Sequence, residues 1–297
     1  MIDFIESQLA VWPEANARYA ALGTTQRRVL SLGDMQIALQ YNPARAVSTA
    51  AVTDKAAIAA RPCFLCDENR PPQQSAIPLD NKWEMLLNPF PIFPVHFTIA
   101  SLRHEPQRQF TGECIEFADR YPELAIFFNG AGAGASAPDH AHMQAVLSSE
   151  LPLLHLTEQL HPIDTGSIIS TASTGADLPF HYYSALITPD NDGLTLMKQL
   201  FANRDGKILL PANPVNPDKS QMVDEALVNV IAWKDSAGHM RVIIIPRRAH
   251  RPQCWPEVMV SPGTIDMAGT VITPRREDFD SLQPDDIREI YRQVAYA

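Results

Sequence analysis

One segment constrains the fold of this chain more than any other. It runs Asn129-Gly130-Ala131-Gly132-Ala133-Gly134-Ala135-Ser136-Ala137-Pro138-Asp139-His140-Ala141-His142-Met143-Gln144, following the apolar run 124–128 and leading into the run 141–147. Three alternating glycines and Pro138 argue against a continuous helix here. The flanking runs then read as strands joined through a glycine-rich loop. In a strand, residues two apart share a face, so His140, His142 and Gln144 lie on one side of the sheet. Glycines alone would mean a flexible turn. Two histidines and a glutamine on one face beside such a loop are hard to explain by packing.

The loop has two further readings, and both fail. Gly130-x-Gly132-x-x-Ala135 loosely matches a dinucleotide-binding fingerprint, but that motif needs a helix to open at its last glycine. No Gly-Lys-Ser/Thr ending follows, which excludes a Walker loop. What remains is a loop able to bring peptide N–H groups close to a phosphate, beside an imidazole able to attack it. Neutral imidazole is a good nucleophile near pH 7, and its N-phosphoryl adduct is reactive enough to turn over.

The chain of 297 residues can hold one large domain or two lobes. With 24 basic and 34 acidic side chains its net charge is −10, a poor match for a nucleic-acid backbone. A local cluster of donors can still bind a small phosphorylated substrate. The start carries Asp3 and Glu6 and reads as no signal peptide, and no apolar run is long enough to span a membrane. Four cysteines, at 63, 66, 114 and 254, are too few for a disulfide scaffold. The expectation is a cytoplasmic protein with no nucleic-acid or membrane partner, as monomer or homodimer.

Periodicity predicts an amphipathic helix over 3–22 and strands at 35–41, 83–87, 96–100, 124–128 and 141–147. Prolines 89, 91 and 94 bend the chain between two of these strands. Residues 46–60 read as a loop and 107–120 as a helix. Gly, Ser, Thr and Asp collect at 162–178, suggesting a linker. Beyond it come strands near 182–187, 227–233, 242–245 and 265–273, helices at 192–203 and 284–295, and a proline-rich loop at 211–218. The expected organisation is a catalytic lobe over 1–160 and a second α+β lobe over 161–297 that completes the substrate pocket.

Gly-x-Ser-x-x-Asp-His-x-His-x-Gln, here Gly134 to Gln144, resembles the transferase branch of the histidine triad superfamily. That branch includes galactose-1-phosphate uridylyltransferase, diadenosine tetraphosphate phosphorylase and the GDP-hexose phosphorylases. The resemblance implies an α+β fold of antiparallel sheets with packed helices, in two related lobes. It implies that His142 takes the nucleotidyl group from the α-phosphorus and that Gln144 holds a non-bridging oxygen. It also implies transfer to phosphate or a phosphate ester rather than to water. Asn129, Gly134 and Ser136, with the loop amides, would steady the phosphates. The segment 87–91 is similar to the part of the family that holds base and ribose, which suggests Asn88 and Phe90 as pocket residues. The segments 96–101, 229–247 and 261–269 resemble a core strand, the second lobe, and the C-terminal part of the GDP-hexose phosphorylases.

Cys63-Phe64-Leu65-Cys66 with two histidines would make a tetrahedral zinc site. By resemblance to the uridylyltransferases, the ligands are Cys63, Cys66, His104 and His140, with His96 the competing third ligand. Two buried cysteines without metal are the plainer alternative. Arg45, Arg247 and Arg248 could grip phosphate, although each taken singly reads as a surface arginine. Cys114 and Cys254 read as packing residues, and His155, His161, His181, His239 and His250 have no telling spacing. The expectation is nucleotidyl transfer through a nucleotidyl-His142 intermediate, on a nucleoside diphosphate sugar with GDP-hexose favoured and on phosphate or sugar 1-phosphate as acceptor. Phosphorolysis of diadenosine tetraphosphate is the first alternative. A catalytically inactive nucleotide-binding protein and a zinc-stabilised interaction module are alternatives of other classes.

Overall fold

The computed structural model describes residues 1–50, 55–108, 110–160, 169–171, 177–187, 207–210 and 221–296. The fold is α+β. Its strands are β1 (Gln26–Leu32), β2 (Met35–Tyr41), β3 (Ala76–Pro78), β4 (Trp83–Leu87), β5 (His96–Ser101), β6 (Leu124–Asn129) and β7 (His142–Leu147), followed by β8 (Ile169–Thr171), β9 (Tyr183–Ile187), β10 (Lys207–Leu210), β11 (Gln221–Asp224), β12 (Val228–Lys234), β13 (Met240–Pro246) and β14 (Thr270–Thr273). Nine of them form one sheet in the order β3-β4-β5-β7-β6-β12-β13-β9-β8. All its neighbours are antiparallel. A smaller sheet, β1-β2-β14, pairs an N-terminal hairpin with a C-terminal strand, β14 running parallel to β2.

The central strands read as continuous apolar runs because both faces of the large sheet are covered. Along β6 the side chains alternate between two cores. Ile126 and Phe128 enter one with Trp83, Phe97, Phe117 and Met143. Ala125 and Phe127 enter the other with Leu39, Leu154, Ile265 and Tyr291. The first core is closed by the N-terminal helices and by helix Thr111–Arg120, the second by the small sheet and by helices Pro152–Leu160 and Pro284–Val294. Because Gln144 pairs with Phe127 and Thr98, the side chains of His142 and Gln144 emerge on the second side.

Several expectations shift in detail. The helix over 3–22 is two helices, Ile2–Val11 and Pro13–Ala21. Pro13 lacks the N–H that would continue the first helix, and it pushes Trp12 out of helical geometry, to φ −123° and ψ 87°. The helix predicted from 107 begins at Thr111. Residues 46–60 include two short helices, Ala46–Thr49 and Lys55–Ala59, where a loop is expected. The strand expected over 265–273 divides into a helical turn, Thr264–Met267, and β14. The terminal helix spans Pro284–Val294. The helix expected at 192–203, the loop at 211–218, His161 and most of the linker at 162–178 lie outside the described residues. Among the described residues no helix is long and apolar enough to cross a membrane.

Candidate active site

His142 is the first residue of β7 and is 4% exposed. Its Nδ1 lies 2.8 Å from the carbonyl oxygen of His140. A carbonyl only accepts, so the neutral ring carries its proton on Nδ1 and its lone pair on Nε2. Burial holds the His142 pKa down to about 4, which leaves the ring neutral at pH 7. The backbone of the same residue is gripped by a side chain that sequence reading overlooks. Gln107 accepts from the His142 N–H at 2.8 Å and donates to the carbonyls of His142 at 2.9 Å and Asn129 at 2.8 Å. This amide stands in for a neighbouring strand at the point where β6 and β7 diverge into the glycine loop.

Gln144 faces the same side, opposite Thr98, and its Oε1 lies 3.0 Å from His96 Nε2. Asn88 bridges the neighbouring strand, donating to Thr98 Oγ1 at 3.1 Å and accepting from the Phe90 N–H at 2.9 Å. The Phe90 ring carries the Arg18 guanidinium at 4.3 Å.

These groups line a cavity of about 640 Å³. Asn88, Phe90, Asn129, Gly134, Ser136, His142 and Gln144 all contribute to its wall, so the structure brings the expected nucleotide-site residues together. Among the described residues the wall also holds Arg18, Arg45, Arg61 and Arg251 against a single carboxylate, Asp266, a cationic surface inside a chain whose net charge is −10. Burial presses the Arg45 pKa down to about 10, which leaves it charged at neutral pH. Among the described residues, Nε of Arg45 and Nη1 of Arg61 are buried without a partner.

The glycine loop departs from a simple phosphate cradle. The N–H groups of Gly130 and Gly132 donate to the carbonyls of Val228 and Ala226, each at 2.8 Å. They dock the loop against β12 and are not offered to a ligand. A Cβ on Gly130 would stand 2.5 Å from the Ala226 oxygen, which is why a glycine sits there. Gly134 has φ +101° and approaches Gly263, whose segment forms the opposite wall. The cavity is therefore lined at Gly134, Ala135 and Ser136 rather than by the whole loop.

Asn129 ties the two walls. Its Oδ1 accepts from Asn229 Nδ2 at 3.1 Å and from the N–H and hydroxyl of Thr264 at 2.7 and 2.8 Å. Arg247, which reads as a surface residue in sequence, is fully buried and donates to Asn229, Pro262 and Val294. It braces this wall from behind. Arg248 is exposed, over the Tyr296 ring at 5.7 Å. Arg45 corrects the sequence reading in the other direction, because it belongs to the cavity wall.

Cys63, Cys66, His104 and His140 place their ligand atoms within 4.8 Å of one another. Sγ of Cys63 lies 3.3 Å from His140 Nδ1, and Sγ of Cys66 lies 3.3 Å from His104 Nδ1. Ligands of a tetrahedral zinc are spaced about 3.5 Å apart when sulfur meets nitrogen. His140 donates from Nε2 to the Ser101 carbonyl at 2.9 Å, which turns its Nδ1 lone pair toward the sulfurs. Burial opposes a Cys63 thiolate, but the contacts with His140 and with the amides of Leu65 and Cys66 outweigh it and lower its pKa. Burial and the neighbouring Cys63 raise that of Cys66. This donor set can hold a metal ion. His96 is not part of it: both its nitrogens are engaged elsewhere, with Ile92 and Gln144. Cys114 is packed in the core.

The fold agrees with that of known proteins. The fold is that of the yeast Ap4A phosphorylase, as expected for the histidine triad transferase resemblance. The structure of that enzyme with Ap4A matches at a TM-score of 0.61 and 14% identity, covering 96% of this chain and 96% of the other. The structure with AMP matches at 0.58 and 14% identity, covering 98% and 97%. In sequence, a family described as a domain of unknown function, DUF4922, matches residues 4–147. No curated protein sequence matches the chain.

Proposed function

We propose that this protein is a nucleotidyltransferase of the phosphorylase type, working through a covalent nucleotidyl-His142 intermediate. One observation carries the reading. His142 has its Nδ1 proton committed to its own backbone, so Nε2 is left as a lone pair in the wall of an arginine-lined cavity beside Gln144. In the first step Nε2 attacks the α-phosphorus of the substrate. The P–N bond forms, the bridging P–O bond breaks, and the electron pair leaves with the departing phosphate. In the second step an oxygen of inorganic phosphate or a sugar 1-phosphate attacks the same phosphorus, and the P–N bond breaks. The leaving group is a phosphate ester, so no general acid is required. Gln144, Ser136 and the amides near Gly134 serve as donors to the charge that develops on the α-phosphate oxygens. Asn88 and Phe90 hold the nucleoside.

Two substrate classes fit this cavity. GDP-hexose is supported by the 261–269 segment, whose Ser261, Gly263, Thr264 and Asp266 line the cavity. Diadenosine tetraphosphate is supported by the fold shared with the yeast Ap4A phosphorylase and by the four arginines, which suit a longer phosphate chain. In either case residues 1–160 form the catalytic lobe and 161–297 complete the pocket.

Zinc is the metal that best fits two cysteines and two histidines. Cys63, Cys66, His104 and His140 would hold it, and it would serve as a structural brace for the backbone that orients His142. Four free thiols fit a reducing compartment such as the cytoplasm. The test is product formation from GDP-hexoses, UDP-hexoses and diadenosine tetraphosphate, each with and without inorganic phosphate. Phosphate-dependent release of a nucleoside diphosphate with a sugar 1-phosphate assigns the sugar-nucleotide class. Release of ADP and ATP assigns the dinucleotide class. Tight nucleotide binding with no product under any condition would overturn the enzymatic reading.

A further inference from the structure

The transfer scheme leaves one buried, doubly engaged histidine unused. His96 opens β5 and is fully buried. The peptide N–H of Ile92 points at its Nδ1 across 3.1 Å. A peptide N–H only donates, so Nδ1 is bare and the neutral ring has its proton on Nε2. Burial, assisted by the nearby charge of Arg45, keeps this ring neutral by lowering its pKa to about 3.

The Nε2–H of His96 then has one acceptor in line, Oε1 of Gln144 at 3.0 Å. Asn88 Nδ2 also lies 3.3 Å from this nitrogen, but it is itself a donor, already directed at Thr98. A primary amide has one accepting end and one donating end. With its oxygen committed to His96, Gln144 turns its NH2 group away from His96. Gln144 lines the cavity, so that donor is the end left for a ligand. A rotated amide would set an oxygen against a phosphate oxygen instead.

We propose that His96 is a positioning residue that fixes the polarity of Gln144, so that the amide N–H2 rather than the oxygen meets the phosphate attacked by His142. The inference rests on the nucleotidyl-transfer reading and adds a residue to it. The chain of control runs from the Ile92 peptide through the imidazole to the Gln144 amide, and a neutral ring allows it only one direction.

The geometry supplies its own controls. A glutamine side chain can place an N–H where Nε2 stands, whereas asparagine is shorter and reproduces only the Nδ1 position. His96→Gln and His96→Asn are each made in the wild-type chain and in a Gln144→Ala background. Formation of the nucleotidyl-enzyme is followed in single turnovers with diadenosine tetraphosphate, a GDP-hexose and a UDP-hexose as probes. H96Q is expected within about fivefold of wild type, and H96N slower by about 10²-fold, the scale of losing one oriented donor. Apparent substrate affinity should move by less than about threefold, because the donor acts on developing charge. In the Gln144→Ala background, H96N should add nothing further.

Equal slowing by H96Q and H96N would overturn the inference, as would an undiminished effect of H96N in the Gln144→Ala background. Thermal melts check that each variant is folded. Should H96N not fold, His96→Met fills the space without a donor, and a near-normal rate in that variant overturns the inference. If wild type forms no adduct with any probe, the transfer reading falls and takes this inference with it. An adduct in wild type together with an equally fast H96N removes only the role of His96.

Discussion

The ring of His142 is held by the carbonyl of His140, two residues earlier on the same chain, across 2.8 Å. The ring of His140 in turn points its Nδ1 at Cys63 and Cys66, at 3.3 and 3.5 Å. The metal-type cluster and the proposed nucleophile are thus joined through one residue. Whatever fixes the His140 side chain also fixes the backbone oxygen that decides which nitrogen of His142 carries the proton.

Metal content should therefore track activity. The purified protein is expected to hold about one zinc per chain, the stoichiometry of a closed four-ligand site. Cys63→Ser should lose most of that metal, melt at lower temperature and turn over more slowly, as read by elemental analysis, calorimetry and product release. A C63S protein with full metal content would place the metal elsewhere.

Gln107 makes a second test, independent of metal. Gln107→Ala strands the buried N–H of His142 and two carbonyls, those of His142 and Asn129. Leaving such groups unsatisfied costs about 1–3 kcal/mol each at most sites. We expect chemical denaturation to show a loss of at least about 2 kcal/mol, together with a fall in kcat larger than the change in KM. Unchanged stability would mean that the Gln107 amide is not the clamp described above.

Glycine 134 tests the docking of the loop on the opposite wall. At φ +101°, a Cβ here would stand 2.7 Å from the Gly263 Cα, which is backbone and cannot move aside cheaply. Gly134→Ala should cost about 1–3 kcal/mol and at least tenfold in turnover. Gly112→Ala is the control, since nothing lies within 4 Å of its added Cβ and it sits in helix Thr111–Arg120. That variant should be as stable as wild type or slightly more so. Equal behaviour of the two would contradict close packing of Gly134 against Gly263.

Acid sensitivity follows from three buried neutral histidines. Burial lowers His96 from 6.5 to about 3, and His142 and His250 from 6.5 to about 4. The unfolded chain takes up these protons first, so the stability they confer is full above pH 6.5 and is lost as pH falls toward the folded values. Each contributes a slope of about 1.4 kcal/mol per pH unit within its window. Asp266 acts in the opposite sense, because burial raises its carboxyl from 3.8 to about 6 and favours the protonated fold between those values. The three histidines outweigh the one carboxyl. Denaturation midpoints should fall between pH 6.5 and 4, and His96→Gln should flatten the decline. A rise in stability over this range would contradict the assigned neutral rings.

Much of the site is legible in the sequence because its chemistry is local. Period-two spacing puts His142 and Gln144 on one face, and β7 carries them there. Cys63 and Cys66 lie three residues apart, and the fold brings them together with His104 and His140. The rest depends on contacts between distant segments. Gln107 is an unremarkable glutamine in a loop until β6 and β7 separate beside it. Arg247 looks like a surface arginine, yet Asn229 and the carbonyls of Pro262 and Val294 converge on it from other elements. β1 escapes notice because it opens on three polar residues, Gln26, Arg27 and Arg28, and buries only Leu30 and Leu32. The N-terminal helix breaks at Trp12–Pro13, where hydrophobic periodicity alone continues without interruption. The loop amides of Gly130 and Gly132 look free in sequence and are taken by β12 and the turn before it.

The central claim is a bond between phosphorus and Nε2 of His142, and it can be measured directly. The protein is mixed with each probe nucleotide in the absence of phosphate, quenched, and analysed by intact mass and peptide mapping under conditions that spare phosphoramidates. The account predicts one added nucleotidyl group, located on His142, discharged by adding inorganic phosphate, and absent from a folded His142→Ala variant with no turnover. An adduct on another residue, or turnover in H142A close to that of wild type, would contradict it.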